Sequence, residues 1–471
     1  MVLPREATLQ SLPPIYPHDL LPLIRKQLEE SGRKILALDD DPTGTQTVYN
    51  VPVLTEWSVE SLAAELRAPA PVAYVLTNSR SLPRESAAVL MHEIAANLKA
   101  AQAQVPRPVA VISRSDSTLR GHFAAEIDAL RAGLGVQPDG IVVAPFFLEG
   151  GRYTIDDVHY VAEGDRLIPA AETEFARDAY FGYTQSNLRE WIAEKYGGEA
   201  PGGILSFSLS DLRSQGPDSV AARLRTISGG QFIVVNAADY RDLEVFVAGL
   251  MQAEKAGQRF LARTAASYVR VSAGLPPRGL LTQAEVVTAN NKGAGLVVAG
   301  SYIQKSTAQI RAACTLPGVQ AVEIHVNRLL DDEQRPAEIQ RTVDEIAGHL
   351  SAGCDTVTYT SRDLVAGATR EKSLEIGQVV SAALVEMVRR LPVRPGWLIA
   401  KGGITSSDVA TKALGIRRAM VLGQILPGVP VWWAGDESRW PGMPYVVFPG
   451  NVGDETAIAR VMTTLRGHEP A

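Results

Sequence analysis

The chain has 471 residues, 46% of them hydrophobic, enough apolar material for more than one core and for two or three domains. Its formal net charge of -6, with Lys and Arg scattered rather than clustered, excludes a basic field for nucleic acid or anionic lipid. Two cysteines, Cys314 and Cys354, are too few for a disulfide framework or a thiolate metal cage and suit a reducing, cytoplasmic setting.

The amino terminus, MVLPREATLQ, carries charges and a proline where a signal peptide needs a continuous apolar run, so no export signal is expected there. Leu20 to Ser31 reads as a helix leading into a strand at Ile35 to Leu38. That strand runs into three carboxylates, Asp39, Asp40 and Asp41, then Pro42, Thr43, Gly44 and Thr45. Packed like charges raise each other's cost of ionising unless a cation, a metal or a donor compensates, which makes this a candidate site as well as an ordinary turn composition. Val72 to Thr77 is a second strand, Arg84 to Ala103 a helix, Val109 to Ile112 a third strand, Phe123 to Ala132 a helix and Ile141 to Ala144 a fourth strand. Such alternation specifies βα units around a mostly parallel sheet. Polar loops follow three of these strands: DDDPTGTQT, Asn78 to Ser81 and Ser113 to Gly121. In a parallel sheet they share the carboxyl edge, where ligands bind.

Gly150 to Tyr183, dense in aromatic and charged residues, reads as a long ordered excursion. A strand at Phe232 to Asn236 precedes a helical stretch from Leu243 to Ser272. The Gly- and Pro-rich segment Ala273 to Thr282 then sets a boundary and predicts domains over 20–275 and 285–471. The second half repeats the grammar, with strands at Leu296 to Ala299, Ala321 to Val326, Thr356 to Thr360 and Trp397 to Ala400, and helices at Lys305 to Ala313 and Leu374 to Leu391. Ala419 to Gly435 is uncharged, but it is short for a bilayer and cut by Gly423, Pro427, Gly428 and Pro430, so it reads as buried strand and turn. The fold expected is α/β: two domains, each with a mostly parallel sheet flanked by helices, and an active site in the interdomain cleft.

Three Gly-containing loops follow strands in the second half: AGSYIQKST (Ala299 to Thr307), AKGGITSSD (Ala400 to Asp408) and PGNVGD (Pro449 to Asp454). Glycine lets backbone N–H groups approach a phosphate closely, so three such loops together suit a nucleotide, with Lys401 facing its phosphates. Gly300 to Ser306 has Gln304 where a P-loop needs its second glycine, and no GxGxxG dinucleotide fingerprint follows a strand. The seven histidines never pair at zinc-ligand spacing, and no metal ligands are assigned. In the first half, Arg114 and Arg120 flank Asp116 and Ser117, a set that either grips an anionic, hydroxyl-rich substrate or pairs within itself.

These residues resemble the four-carbon acid sugar kinase family, which joins a sugar-binding amino-terminal domain to a nucleotide-binding carboxy-terminal one. Its DDxTG motif is matched by Asp40, Asp41, Pro42, Thr43 and Gly44, and its [KR]xDSTLRG motif by Arg114 through Gly121. GRYTIDDVHYV and ETEFARD (Glu172 to Asp178) resemble its mid-domain segments. Its three nucleotide contacts are matched at Ser301, at Gly402, Gly403, Ile404 and Thr405, and at Gly450, Asn451 and Gly453. The resemblance implies ATP- and Mg²⁺-dependent phosphorylation of the terminal hydroxyl of a threonate, erythronate or 3-oxotetronate. In it Arg114 and Arg120 hold the carboxylate, Thr43, Gly44 and Ser117 line the sugar site, and Asp40 and Asp41 position the hydroxyl, one accepting its proton. Asp116 is a third candidate base, and the residues leave the choice open. The implied partners are a small-molecule sugar acid and ATP, with neither nucleic acid nor membrane, and a homodimer is compatible. Two departures, the extra acid Asp39 with Pro42 and the pair Phe448 and Pro449, bear on which sugar acid is selected.

Two other readings compete. Asp39, Asp41 and Thr43 also fit the DxDxT pattern of haloacid dehalogenase-like phosphatases, in which Asp39 is the nucleophile and no ATP is needed. A non-catalytic protein that binds sugar acid or nucleotide is the other alternative.

Overall fold

The structure is a computed structural model and describes residues 1–300, 304–361, 370–450 and 452–467. The chain forms two compact units: Met1–Val48 with Glu56–Pro277, and Tyr49–Thr55 with the chain from Arg278 onward. In chain order the strands are β1 (Leu3–Pro4), β2 (Lys34–Asp39), β3 (Val51–Leu54), β4 (Val72–Leu76), β5 (Val109–Arg114), β6 (Gly140–Ala144), β7 (Arg152–Ile155), β8 (Val158–Glu163), β9 (Arg166–Pro169), β10 (Ile204–Phe207), β11 (Gln231–Val235) and β12 (Phe260–Thr264). They continue with β13 (Leu296–Ala299), β14 (Val319–Ile324), β15 (Asp355–Thr360), β16 (Leu398–Lys401), β17 (Arg418–Leu426), β18 (Val429–Ala434) and β19 (Pro444–Phe448).

The first unit is built on seven parallel strands in the order β10-β11-β6-β12-β5-β2-β4. Helices cover such a sheet on both faces, so its strands read as unbroken apolar runs, and all residues of β2, β4 and β6 are buried. The helices stop where the chain needs a left-handed residue: Gly32 ends Leu21–Ser31 and Gly135 ends Phe123–Leu134. Beside this sheet β1, β9, β8 and β7 form a small antiparallel one. It occupies the segment read as an excursion. Asp156 and Asp157, both at positive φ, make the two-residue turn between β7 and β8.

One expectation is corrected. Leu243 to Ser272 is not a continuous helical stretch: a helix over Tyr240–Lys255 gives way to β12 and then to a helix over Ala266–Ser272. Gly257, at φ +108°, breaks the first helix, and Phe260–Thr264 is drawn into the gap between β5 and β6, where sheet pairing overrides local preference.

The second unit has five parallel strands in the order β19-β16-β13-β15-β14. An antiparallel extension, β3-β17-β18, continues from β19. Its core packs Val297, Trp397, Ile399, Val446 and Phe448 against Ile458, Val461 and Met462 of the last helix, Ala457–Arg466. No described helix is long and apolar enough to cross a membrane.

Candidate active site

In the first unit, β2 ends level with its parallel neighbours: Asp39 stands opposite Leu76 of β4 and Arg114 of β5, and Arg114 stands opposite Thr264 of β12. Register alone therefore delivers Asp39–Asp41, the loop after β4, Arg114–Gly121 and Arg263 to one carboxyl edge, the place where open α/β sheets hold ligands.

The four aspartates gathered there are not equivalent. Asp39, 1% exposed, accepts from Arg114 Nη1 at 3.0 Å and from the Asp41 amide at 3.3 Å. Burial, opposed by Arg114 and reinforced by Asp40 and Asp41, pushes its pKa up to about 7. Asp41 accepts from the amide and hydroxyl of Thr43 and from Arg80 Nη2, and these hold it below the usual range although burial pushes the other way. Asp116 is saturated. It takes Arg120 Nε at 2.9 Å, Arg120 Nη2 at 3.3 Å, Arg80 Nη1 at 3.2 Å and the Thr118 hydroxyl and amide, so despite burial it lies well below the carboxylate range.

Asp40 differs from all three. It is 2% exposed, and neither carboxylate oxygen accepts a hydrogen bond among the described residues. Arg80 Nη1 and Arg114 Nη1 each stop 3.9 Å away. Burial raises its pKa, with Arg80, Arg114 and Arg263 pulling the other way. A buried carboxylate with empty lone pairs is costly, and a hydroxyl brought to it relieves that cost.

The loop after β5 is held from outside. Leu119, at φ +68°, and Gly121, at φ +113°, adopt left-handed backbone, and three carbonyls of this loop are gripped by distant side chains. His159 Nε2 donates to Ser117 O at 2.8 Å, Tyr183 OH to Thr118 O at 2.8 Å and Arg263 Nη2 to Arg120 O at 3.0 Å. A carbonyl only accepts, so His159 carries its proton on Nε2, and Nδ1 accepts from the Thr154 hydroxyl at 3.0 Å. Burial, opposed by the bond to Ser117, drives its pKa down to about 4, so the ring is neutral at ordinary pH.

The residues expected from the sequence, Asp40, Asp41, Thr43, Gly44, Arg114, Asp116, Ser117 and Arg120, thus fall in this cluster. Sequence reasoning missed Arg80, Arg263, Arg152, His159 and Tyr183. Arg80 sits in a loop already singled out as polar. Arg263, in the run FLART, had the signal of a lone charge within an apolar segment, masked by the helical reading.

In the second unit β13, β16 and β19 are parallel neighbours, so their following loops emerge side by side. Lys401 ties two of them, its Nζ donating to Pro449 O at 2.6 Å and Gly450 O at 2.8 Å. The Gly402 amide donates to Phe448 O, and a Cβ on Gly300 would come within 2.8 Å of Thr405 Oγ1, so the third loop packs against the second. Gly402 and Gly453 have positive φ, whereas no described residue comes within 4 Å of the Cβ position of Gly403 or Gly450. Ile404 is 64% exposed beside them. Ser301 and Asn451 lie outside the described residues. Burial, helped by Lys305, brings the Lys401 pKa down to about 7, which marks a site short of negative charge.

Two family models match the chain, a sugar-binding N-terminal domain over residues 35–271 and a nucleotide-binding C-terminal domain over 296–458. The chain belongs to the four-carbon acid sugar kinase family. Among its relatives, a D-threonate kinase of Bordetella bronchiseptica is 28% identical over 451 residues, 92% of this chain and 98% of that one. A D-erythronate kinase of Heliobacterium modesticaldum is 25% identical, covering 60% of this chain and 58% of its own. A solved Haemophilus influenzae protein shares the fold with a TM-score of 0.64 at 18% identity, covering 91% of this chain and all of that one. The relatives of this family member are kinases of acid sugars, and its two family models fall one on each unit.

Proposed function

We propose that the chain transfers the γ-phosphoryl group of ATP to the terminal hydroxyl of a four-carbon sugar acid of the threonate, erythronate or 3-oxotetronate type, with Asp40 as general base. The observation that carries this reading is the orphaned carboxylate of Asp40, ringed by guanidinium groups that none the less leave its oxygens free. A base needs a vacant lone pair and a pKa nearer the working pH than an ordinary aspartate has; Asp39 is also raised but is bonded to Arg114, and Asp40 alone of the four combines a raised pKa with two oxygens that accept no hydrogen bond among the described residues. Asp41 and Asp116 anchor Arg80 between them, while Thr43, Gly44 and Ser117 form the wall against which the sugar lies.

On the nucleotide side, the glycine turns at Gly402, Gly403, Gly450 and Gly453 with Lys401 suit a polyphosphate, because open backbone and an under-compensated ammonium both favour anionic oxygens. The residues fit the group. Among the described residues no three His, Cys, Asp or Glu side chains stand together as a metal cage, so Mg²⁺ is expected to arrive on the phosphates, where it neutralises charge on the oxygens.

ADP release with MgATP over a panel of four- and five-carbon sugar acids tests the proposal. Turnover on at least one four-carbon acid is expected. Hydrolysis of phosphate esters without ATP, and no turnover of any acid, would instead favour the phosphatase reading, in which Asp39 is the nucleophile.

A further inference from the structure

Around the aspartates of the first unit stand five guanidinium groups. Three of them are committed to acids. Arg80 pairs with Asp41 and Asp116, Arg114 with Asp39, and Arg120 with Asp116 and, at 3.7 Å, with Asp178. Arg263 and Arg152 have no ion-pair partner among the described residues. Arg263 is 4% exposed, and its Nη2 is spent on the Arg120 carbonyl.

Arg152 opens β7, in the segment read from the sequence as an excursion resembling the family's mid-domain segment GRYTIDDVHYV but with no role given to this arginine, and is half-buried. The sole hydrogen bond of its side chain among the described residues runs from Nη1 to the Gly150 carbonyl, and its Nε is buried without an acceptor. Its guanidinium carbon lies 5.5 Å from the centre of the Phe175 ring, and that of Arg120 lies 5.1 Å from the same ring. Two cations gathered on one aromatic ring repel each other; Asp116 and Asp178 pair with Arg120, and Glu163 acts on Arg152 without forming an ion pair with it among the described residues. An anion entering there would gain from both, and a planar fork such as guanidinium suits a carboxylate.

We propose that Arg152, with Phe175 as its platform, recognises the carboxylate of the sugar acid, and so selects acids over neutral sugar alcohols. The inference rests on the kinase reading for the identity of the ligand. It sets Arg152 beside Arg120 in the role that the sequence reading gave to Arg114 and Arg120, Arg114 being buried against Asp39.

The test measures, by calorimetry and by turnover with MgATP, a panel of four-carbon sugar acids against the matching tetritols, in which the carboxylate is reduced to an alcohol. Wild type is expected to prefer the acid, and Arg152→Met to lose about 10- to 100-fold of that preference, the factor a charge-assisted hydrogen bond carries. Arg152→Lys is expected to restore part of it. Thermal melts check that both variants are folded, and the wild-type protein with the two ligands is informative if neither is. Turnover of acids by wild type, with the preference intact in folded Arg152→Met, overturns the role of Arg152 alone. Acid binding without turnover, lost in Arg152→Met, removes the kinase reading and keeps Arg152. A wild type that binds no acid, or binds acid and tetritol equally, overturns the assignment.

Discussion

The carboxylate of Asp39 fills the space that a side chain at Gly44 would need: a Cβ there would overlap both carboxylate oxygens. The DDxTG loop thus folds back on the end of its own strand, and glycine is required for close approach rather than for an unusual φ. Gly44→Ala is expected to cost about 1–3 kcal/mol, the usual price of overpacking, and to lower Tm by several degrees. Urea and thermal unfolding at neutral pH check this. A variant as stable as wild type would mean that the loop yields easily.

Asp40→Asn keeps the shape of the site and removes the proton acceptor. Expected is a fall in kcat of about 10² to 10⁴. Asp41→Asn, which loosens Arg80 but leaves Asp40 in place, is expected to lower kcat less and to bind ATP normally. Steady-state kinetics on both variants decide; the reverse ranking would move the base to Asp41.

The two raised aspartates make stability and activity respond oppositely to pH. Asp39 titrates near 7 in the folded chain against 3.8 for an ordinary aspartate, so between those values the folded state holds more protons than the unfolded one. Its contribution to folding is fully present below about 4 and is lost as pH rises through about 7. The stability of Asp39→Asn relative to wild type should therefore improve from pH 5 to pH 8, as read from urea melts at both. The rate should fall on the acid side as Asp40 becomes protonated.

Lys401 carries the opposite sign. Its folded pKa is depressed from 10.5 to about 7, so its unfavourable contribution is fully present below about 7 and is relieved as pH rises toward 10.5. If the nucleotide phosphates lie beside Lys401 as proposed, their oxygens restore the ammonium, and ADP binding at pH 8 is expected to take up protons. Calorimetry in buffers of different ionisation enthalpy measures the uptake, and Lys401→Met should abolish it.

Gly403 has no atom of the described residues within 4 Å of its Cβ position and an ordinary φ, so Gly403→Val should fold with a Tm close to wild type. On the proposed nucleotide site it should weaken ATP binding by occupying the space proposed for phosphate, and leave sugar-acid binding unchanged. Calorimetry with each ligand separates the two, and normal ATP affinity would remove this loop from the nucleotide site.

Much of this was legible in one dimension. Apolar runs such as Val72–Leu76 mark buried parallel strands because such a sheet is covered on both faces, and the loops after β2, β4 and β5 are polar because they end at its open edge. The motif residues Asp40, Asp41 and Asp116 are contiguous with those strand ends. Arg263 and Arg152 were not legible as site residues, since β12 is a strand through its pairing between β5 and β6, and β7 is placed by pairing with β8 and, at long range, with Ala237.

By itself, then, the sequence determined the α/β class, the acids and glycines of the loops and the family, because each is written in local pattern and spacing. Which aspartate stays unpartnered, and which arginine stays unspent, was decided only by tertiary packing. Charges on separate strands find or miss one another according to register and burial, and neither is a property of any short stretch of chain.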